Sequence, residues 1–210
     1  MFVITADQVD SRSRDDAVAE ALARIEKTAH GELLLPAERT AGDEIQALTD
    51  RADTAYRLVL ELTRDGRWSV GLGVGPVRLP LGDSTRSSTG EAFFAARAAI
   101  DAAKRTPSRF ALRQEPATDE EPTESGIRAT DVEALVAVVL ALREKRTDKG
   151  WEVHDLLATG ATQSRAASAL GITQGAVSMR ARTGSSREEL AASEALVRLL
   201  GMLDDTTAKG

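Results

Sequence analysis

Two acidic residues, Asp7 and Asp43, have positions that would let their carboxylates act together on a metal ion. Asp7 lies near the end of an apolar run that predicts a buried strand over residues 2–9. Asp43 closes Ala41-Gly42-Asp43, a turn sequence between two strand-like segments. If the first strand and this hairpin lie side by side, the two carboxylates meet at the sheet edge and bind Mg²⁺ together with substrate phosphates. Acidic residues are also common in turns and caps, so a purely structural role stays open.

Residues 163–182 have the spacing of a helix-turn-helix. Ala167 is small where a second helix would cross the first, and Gly171 ends the first helix where the backbone needs a positive φ. Ile172 would fill the corner, and the Thr173 hydroxyl can cap the next helix. The pattern therefore predicts two short helices joined by a tight turn.

The second of these helices is expected to turn Val177 into the core and a polar row outward. Such a row is what a recognition helix presents to the major groove of DNA. The predicted DNA-binding residues are Gln163, Ser164, Arg165, Thr173, Gln174, Gly175, Ser178, Arg180 and Arg182.

Local charge supports contact with phosphate. Residues 162–187 contain Arg165, Arg180, Arg182 and Arg187 and no acidic residue, whereas the whole chain has a net charge of −6. A local reversal of sign on an acidic chain favours selective rather than general binding of nucleic acid. The alternative is an ordinary helical hairpin whose alanine and glycine serve packing alone.

The first half of the chain predicts an α+β fold. The order of elements is β-α-β-β-α-β-α-β, which is typical of a ferredoxin-like sheet covered by helices, and the domain is assigned to residues 1–113. The predicted strands are 2–9, 32–40, 44–49, 68–77 and 110–112, and the predicted helices are 13–30, 52–63 and 90–105.

The second half predicts an all-α helix-turn-helix domain over residues 131–210. An acidic segment with two prolines, residues 114–130, has no apolar periodicity and is expected to be a solvated linker. Helices are predicted at 131–146, capped by Asp131, and at 151–158 and 187–203. The first and last carry more apolar surface than a small domain can cover, so a homodimer is expected.

The hairpin also resembles known nucleotide cyclases. Arg39-Thr40-Ala41-Gly42-Asp43-Glu44-Ile45 is similar to the Arg-x-Gly-Gly-Asp-Glu-Phe hairpin of diguanylate cyclases and to the Lys-x-x-Gly-Asp hairpin of class III cyclases. This resemblance implies that Asp7 and Asp43 hold metal ions, that Gly42 lies at the nucleotide, and that Arg39 stands where class III cyclases place a base-contacting lysine.

Two further segments extend the resemblance. Residues 71–75 resemble the Gly-Ile-x-x-Gly strand of those enzymes. Residues 90–97 resemble their Gly-x-x-Val-Asn-x-Ala-x-Arg segment, which implies a phosphate contact for Arg97. The asparagine that orients the ribose is replaced by Phe93 or Phe94, which argues against catalysis while leaving nucleotide binding open.

The overall pattern resembles the SatD-like family of bacterial proteins. The resemblance covers the first strand, the Gly-Asp-Glu hairpin, the glycine-rich strand and the helix after it, with a helix-turn-helix appended. It implies a cyclase-like fold more directly than it implies a function.

Two functional hypotheses follow, and a third, a structural adaptor whose helix-turn-helix contacts only protein, is less favoured because the helix-turn-helix region is rich in arginine. In the first, the chain is a transcriptional regulator that binds double-stranded DNA and senses a nucleotide, or assembles, through its first domain. In the second, it is a Mg²⁺-dependent nucleotidyl cyclase controlled by its second domain. Cysteine is absent and no apolar run is long enough to span a membrane, so a cytoplasmic protein without disulfides or thiolate metal sites is expected.

Overall fold

The computed structural model describes residues 1–11, 15–115 and 126–207. The fold is α+β, and the predicted order of elements through the first half is confirmed. The strands are β1 (Phe2–Gln8), β2 (Leu35–Ala41), β3 (Glu44–Thr49), β4 (Trp68–Val74) and β5 (Phe110–Gln114). The helices are α1 (Val18–Ala29), α2 (Ala52–Leu62), α3 (Glu91–Ala103), α4 (Ala129–Glu144), α5 (Asp148–Ala158), α6 (Gln163–Leu170), α7 (Gln174–Thr183) and α8 (Ser186–Thr207).

The chain folds into two compact units. The sheet unit comprises Met1–Ala137 and Leu196–Gly210, and the helical unit comprises Val138–Ala195. The division passes within α4 and within α8, so each of these helices contributes residues to both units.

The sheet unit contains one five-stranded sheet in the order β2-β3-β1-β4-β5. β1 is central and pairs antiparallel with β3 and β4, while β5 pairs parallel with β4. Helices α1 and α2 pack together, and α2 contacts β1 and β4. Helix α3 covers the other face, where Val3 and Leu48 meet Ala92 and Ala96. Both faces are therefore covered, which explains why β1 and β4 are buried along almost their whole length.

Glycines in β4 allow α3 to lie directly on the sheet. A Cβ atom built on Gly71 would lie 2.3 Å from the backbone nitrogen of Ile100, and one on Gly73 would lie 2.2 Å from the carbonyl oxygen of Ala92. The alanine-rich face of helix α3 thus makes a close backbone approach to this strand.

Several predicted boundaries are wrong for identifiable local reasons. Helix α1 begins at Val18 rather than near residue 13; its N-cap is Ala17, and the Val18 backbone N–H donates to the Asp16 carboxylate at 2.9 Å. Helix α5 begins at Asp148 rather than 151, because the Thr147 hydroxyl caps it. Helix α4 begins at Ala129, which places Asp131 in its first turn rather than at the cap.

The predicted linker is only partly described. Gln114 at its start belongs to β5, and Ala129 at its end belongs to α4. Residues 116–125 lie outside the described residues. No helix in the described ranges is long and apolar enough to cross a membrane.

Candidate functional site

The turn between α6 and α7 has the geometry that its sequence predicts. Gly171 is left-handed (φ 64°, ψ 32°), and the Ile172 N–H donates to the Ala167 carbonyl at 3.1 Å. The Thr173 hydroxyl accepts from the Ala176 N–H at 3.1 Å and caps α7. Each of these residues does what its position in a tight helix-helix turn requires.

A small apolar core holds the two helices together. Ala166 and Ala167 of α6 pack with Val177 and Ala181 of α7 and with Val153 of α5. Because alanine occupies three of these five positions, the helix backbones can approach closely. The predicted inward position of Val177 and the crossing at Ala167 are confirmed.

The outward surface of α7 includes most of the predicted residues. Gln174, Gly175 and Arg182 are exposed, and Ser178 is half-buried. Before the turn, Ser164 and Arg165 are exposed and Gln163 is half-buried. Thr173 is exposed, although its hydroxyl is engaged as the cap of α7.

Met179 shares this surface and was not among the predicted residues. Its side chain is 66% exposed and lies one turn after Gly175. A methionine on a helix can lie on its buried face or on its exposed face, so the sequence alone does not distinguish the two placements.

Arg180 differs from the other predicted cationic contacts. Its guanidinium Nη1 lies 3.5 Å from the Glu152 carboxylate of α5, and its side chain is only partly exposed. It therefore has a protein partner, whereas neither Arg165 nor Arg182 has an ion pair within the described part of the chain.

The fold does not require a glycine at position 175. Its φ is not positive, and a Cβ atom built on it would meet only the Thr173 hydroxyl oxygen, at 3.9 Å. Gly171 is different, because its left-handed conformation would strain any other residue. A glycine in the first turn of a helix lowers helix stability relative to alanine, so Gly175 is unexplained by the fold alone.

A basic cleft adjoins α7. Its volume is ≈ 200 Å³, and its charged lining residues are Lys145, Lys149 and Arg180. The wall also includes Met179 and Thr183 of α7 and Thr147, which precedes α5. Lys145 and Lys149 lie outside the arginine-rich window of the sequence, so charge patterning along the chain did not single them out.

A buried ionic cluster ties the end of α7 to its neighbours. Glu189 of α8 accepts from Arg146 at 2.6 Å and also from Arg143, and its side chain is 2% exposed. Arg146 donates to the Gly184 carbonyl, at the C-cap of α7, from Nε at 2.8 Å and from Nη2 at 2.6 Å. Its guanidinium lies 4.4 Å from the centre of the Trp151 ring.

His154 lies against this cluster and is uncharged at neutral pH. Burial lowers its pKa to about 4; Glu189 acts in the opposite direction, while Arg146 and Arg143 reinforce the lowering. The ring is 8% exposed and packs edge-on against Trp151 at 5.5 Å. Its Nδ1 atom is buried without a hydrogen-bond partner.

The free energy of unfolding of the helical unit is expected to fall as the pH drops from about 6.5 towards 4. The pKa of His154 in the folded protein lies below its value in the unfolded chain, so only the unfolded chain binds a proton in this window. Protonation therefore lowers the free energy of unfolding by up to about 1.4 kcal/mol per pH unit. Above the unfolded pKa the ring is neutral in both states, and the free energy of unfolding no longer depends on its protonation. Urea unfolding of wild type and His154→Gln across this range measures it, and equal slopes for the two proteins would contradict it.

A second candidate site lies where β1 ends and the β2–β3 hairpin turns. A cavity of ≈ 260 Å³ is lined by Gln8, Ser11, Asp16, Arg39, Gly42 and Asp43. It brings together three predicted nucleotide-binding residues, namely Arg39, Gly42 and Asp43. The Gln8 side chain fixes the wall, because its amide donates to the Asp15 carbonyl at 2.8 Å and accepts from the Ala17 N–H at 3.0 Å.

Arg39 faces an acid that the sequence did not single out. Its Nη2 donates to Asp16 at 2.7 Å. The Val18 N–H and then the Arg39 guanidinium lower the pKa of the Asp16 carboxyl. An ionised Asp16 in the wall competes with a ligand for Arg39.

The other two predicted nucleotide-binding residues have different partners. Asp7 pairs with Lys104 at 2.8 Å, and Arg97 pairs with Glu44 at 3.1 Å. Neither lines the described wall of the cavity. Within the described ranges no group of three or more His, Cys, Asp or Glu residues could hold a metal ion, and Mg²⁺ binding by Asp7 and Asp43 stays a prediction.

No protein-family model matches the chain, and neither a curated protein nor a solved structure matches it. The resemblance to SatD-like proteins and nucleotide cyclases stays a prediction that rests on the quoted motifs.

Proposed function

We propose that the chain is a DNA-binding transcriptional regulator in which α7 enters the major groove. The observation that carries the proposal is the α6–α7 surface, which combines a tight helix-helix turn, exposed Arg165 and Arg182, and an exposed glycine that the fold does not need. Such a surface can approach a duplex closely and neutralise its phosphates.

The proposal also covers the two domains, the oligomeric state and the location of the protein. The antiparallel order β2-β3-β1-β4 supports a ferredoxin-like first domain, to which β5 adds a parallel strand. A helix-turn-helix domain would follow it. Two-fold DNA sites favour a homodimer, and exposed Leu135, Val138 and Met202 on α4 and α8 are available for such contacts. The resemblance to a bacterial family favours action in the cytoplasm, where bacterial DNA lies.

The test of DNA binding is a titration of the whole chain against fluorescent duplex fragments of genomic DNA. Binding that is selective for some fragments and that weakens as salt rises supports the proposal. Absence of binding to every fragment at low salt contradicts it.

We further propose that the cavity at the β2–β3 hairpin receives the input ligand, of which a nucleotide is the class favoured by the motifs. The Arg39 guanidinium is a planar cation that can donate hydrogen bonds to a base or a phosphate, and Gly42 has no side chain to occupy the cavity at the turn. Mg²⁺ bound through Asp43 would neutralise the charge of the phosphates. The cyclase hypothesis requires the same site to be catalytic.

Nucleoside triphosphates with Mg²⁺ are expected to raise the melting temperature of wild type but not that of Arg39→Gln. Thermal shift measures this, and Lys27→Gln, which changes an exposed cation of α1, is the control. Chromatography of the incubated nucleotide separates a cyclase, which yields product, from a sensor, which does not. An equal shift in wild type and Arg39→Gln would contradict the assignment of the cavity.

A further inference from the structure

We propose that the basic cleft beside α7 binds a phosphate of the DNA backbone through Lys145 and Lys149. This inference rests on the proposed function, since it requires α7 to lie against a duplex. It adds two contacts that come from the α4–α5 connection and the first turn of α5 rather than from the helix-turn-helix itself.

The position of the cleft on α7 follows from helix geometry. Gly175, Met179 and Thr183 are spaced by four residues and therefore form one stripe along α7. Gly175 and Met179 are exposed, while Met179 and Thr183 line the cleft. A duplex that contacts Gly175 and Met179 therefore lies next to the cleft.

The charges of the cleft suit a phosphate. Its charged lining residues are all cationic, and the neighbouring acids Glu144, Asp148 and Glu152 are not among its described lining. Lys145 and Lys149 are exposed and make no ion pair within the described ranges. Arg180 is held by Glu152, which leaves the two lysines as the cations available to neutralise a ligand.

Lys145→Gln/Lys149→Gln is expected to weaken binding of every duplex to a similar extent. Each phosphate that is no longer neutralised reduces the magnitude of the slope of log K against log salt concentration by about 0.9, so loss of the one phosphate in the cleft should reduce that magnitude by roughly 1. The ratio of affinities for preferred and scrambled duplexes should stay unchanged, because phosphate contacts carry no base information.

The measurement is fluorescence anisotropy of a labelled duplex from about 50 to 200 mM salt. Lys27→Gln/Arg198→Gln removes the same charge from exposed positions outside Val138–Ala195 and is the matched control. Circular dichroism checks that both variants are folded.

The outcomes separate this inference from the proposed function. If wild type binds DNA and the slope is the same in the cleft variant and the control, the cleft inference is wrong while DNA binding stands. If wild type binds no DNA, the proposed function itself fails. Inorganic phosphate that stabilises wild type but not the cleft variant, with an unchanged salt slope for DNA, would assign the cleft to a free anion and overturn the inference.

Discussion

Glu189→Gln is expected to destabilise the helical unit by about 3–5 kcal/mol, enough to unfold most domains of its size. The carboxylate is the counter-charge of two arginines, and it is almost wholly buried. The amide keeps the shape of the side chain but removes the negative charge that faces both guanidinium groups in a buried site. Removing one member of a buried ion pair has a larger effect than the pair itself contributes, because the remaining charge stays desolvated.

Urea unfolding followed by the fluorescence of Trp151 measures this effect. A Trp68→Phe background removes the other tryptophan, so that the signal comes from the helical unit alone. Glu194→Gln, at an exposed position on the same helix, is the control and should change the free energy of unfolding by no more than about 0.5 kcal/mol. If Glu189→Gln were as mild as the control, the cluster would not hold the end of α7.

Gly175→Glu is expected to stabilise the helical unit and to weaken DNA binding on the order of 100-fold. Stability should rise by roughly 0.5–1 kcal/mol, since glycine is a poor helix former and a carboxylate in the first turn complements the helix dipole. A Cβ atom at this exposed position meets only the Thr173 hydroxyl oxygen, at 3.9 Å, so no clash at Cβ offsets the gain. A duplex at the same surface meets both a side chain and a negative charge, and binding falls.

Three companion variants separate the causes of this effect. Gly175→Gln adds bulk without charge, and Gly175→Ala adds only a Cβ atom. Gly201→Ala is the matched control, because Gly201 lies in α8 and a Cβ atom there meets nothing within 4 Å apart from the backbone of the helix itself. Gly201→Ala should raise stability without changing DNA affinity. If Gly175→Glu left DNA affinity unchanged, α7 would not face the duplex.

The sequence predicts those parts of the fold that depend on local chemistry. Gly171, Thr173 and Val177 each have a conformation, a hydrogen bond or a buried position that follows from residue type and spacing, and the structure confirms all three. The order of strands and helices follows in the same way from apolar periodicity. Helix starts are less predictable, because Thr147 competes with other polar residues as the cap of α5, and α1 begins after Ala17, which has no capping side chain.

Contacts between segments that are distant along the chain could not be predicted from the sequence. Arg180 is one of the arginines that suggest a DNA surface, yet Glu152 of another helix engages it. Lys145 and Lys149 join the surface of α7 from a segment well before it in the chain. The pairing of Asp7 with Lys104 likewise depends on how α3 ends over the sheet.

The most direct test of DNA recognition by α7 is selection of duplexes from a random-sequence library by the whole chain, followed by sequencing of the bound fraction. We expect enrichment of a defined motif, with two-fold symmetry if the protein binds as a dimer, and loss of that enrichment in Gly175→Glu. A bound fraction with no enriched motif, or the same enrichment by Gly175→Glu and wild type, would contradict it.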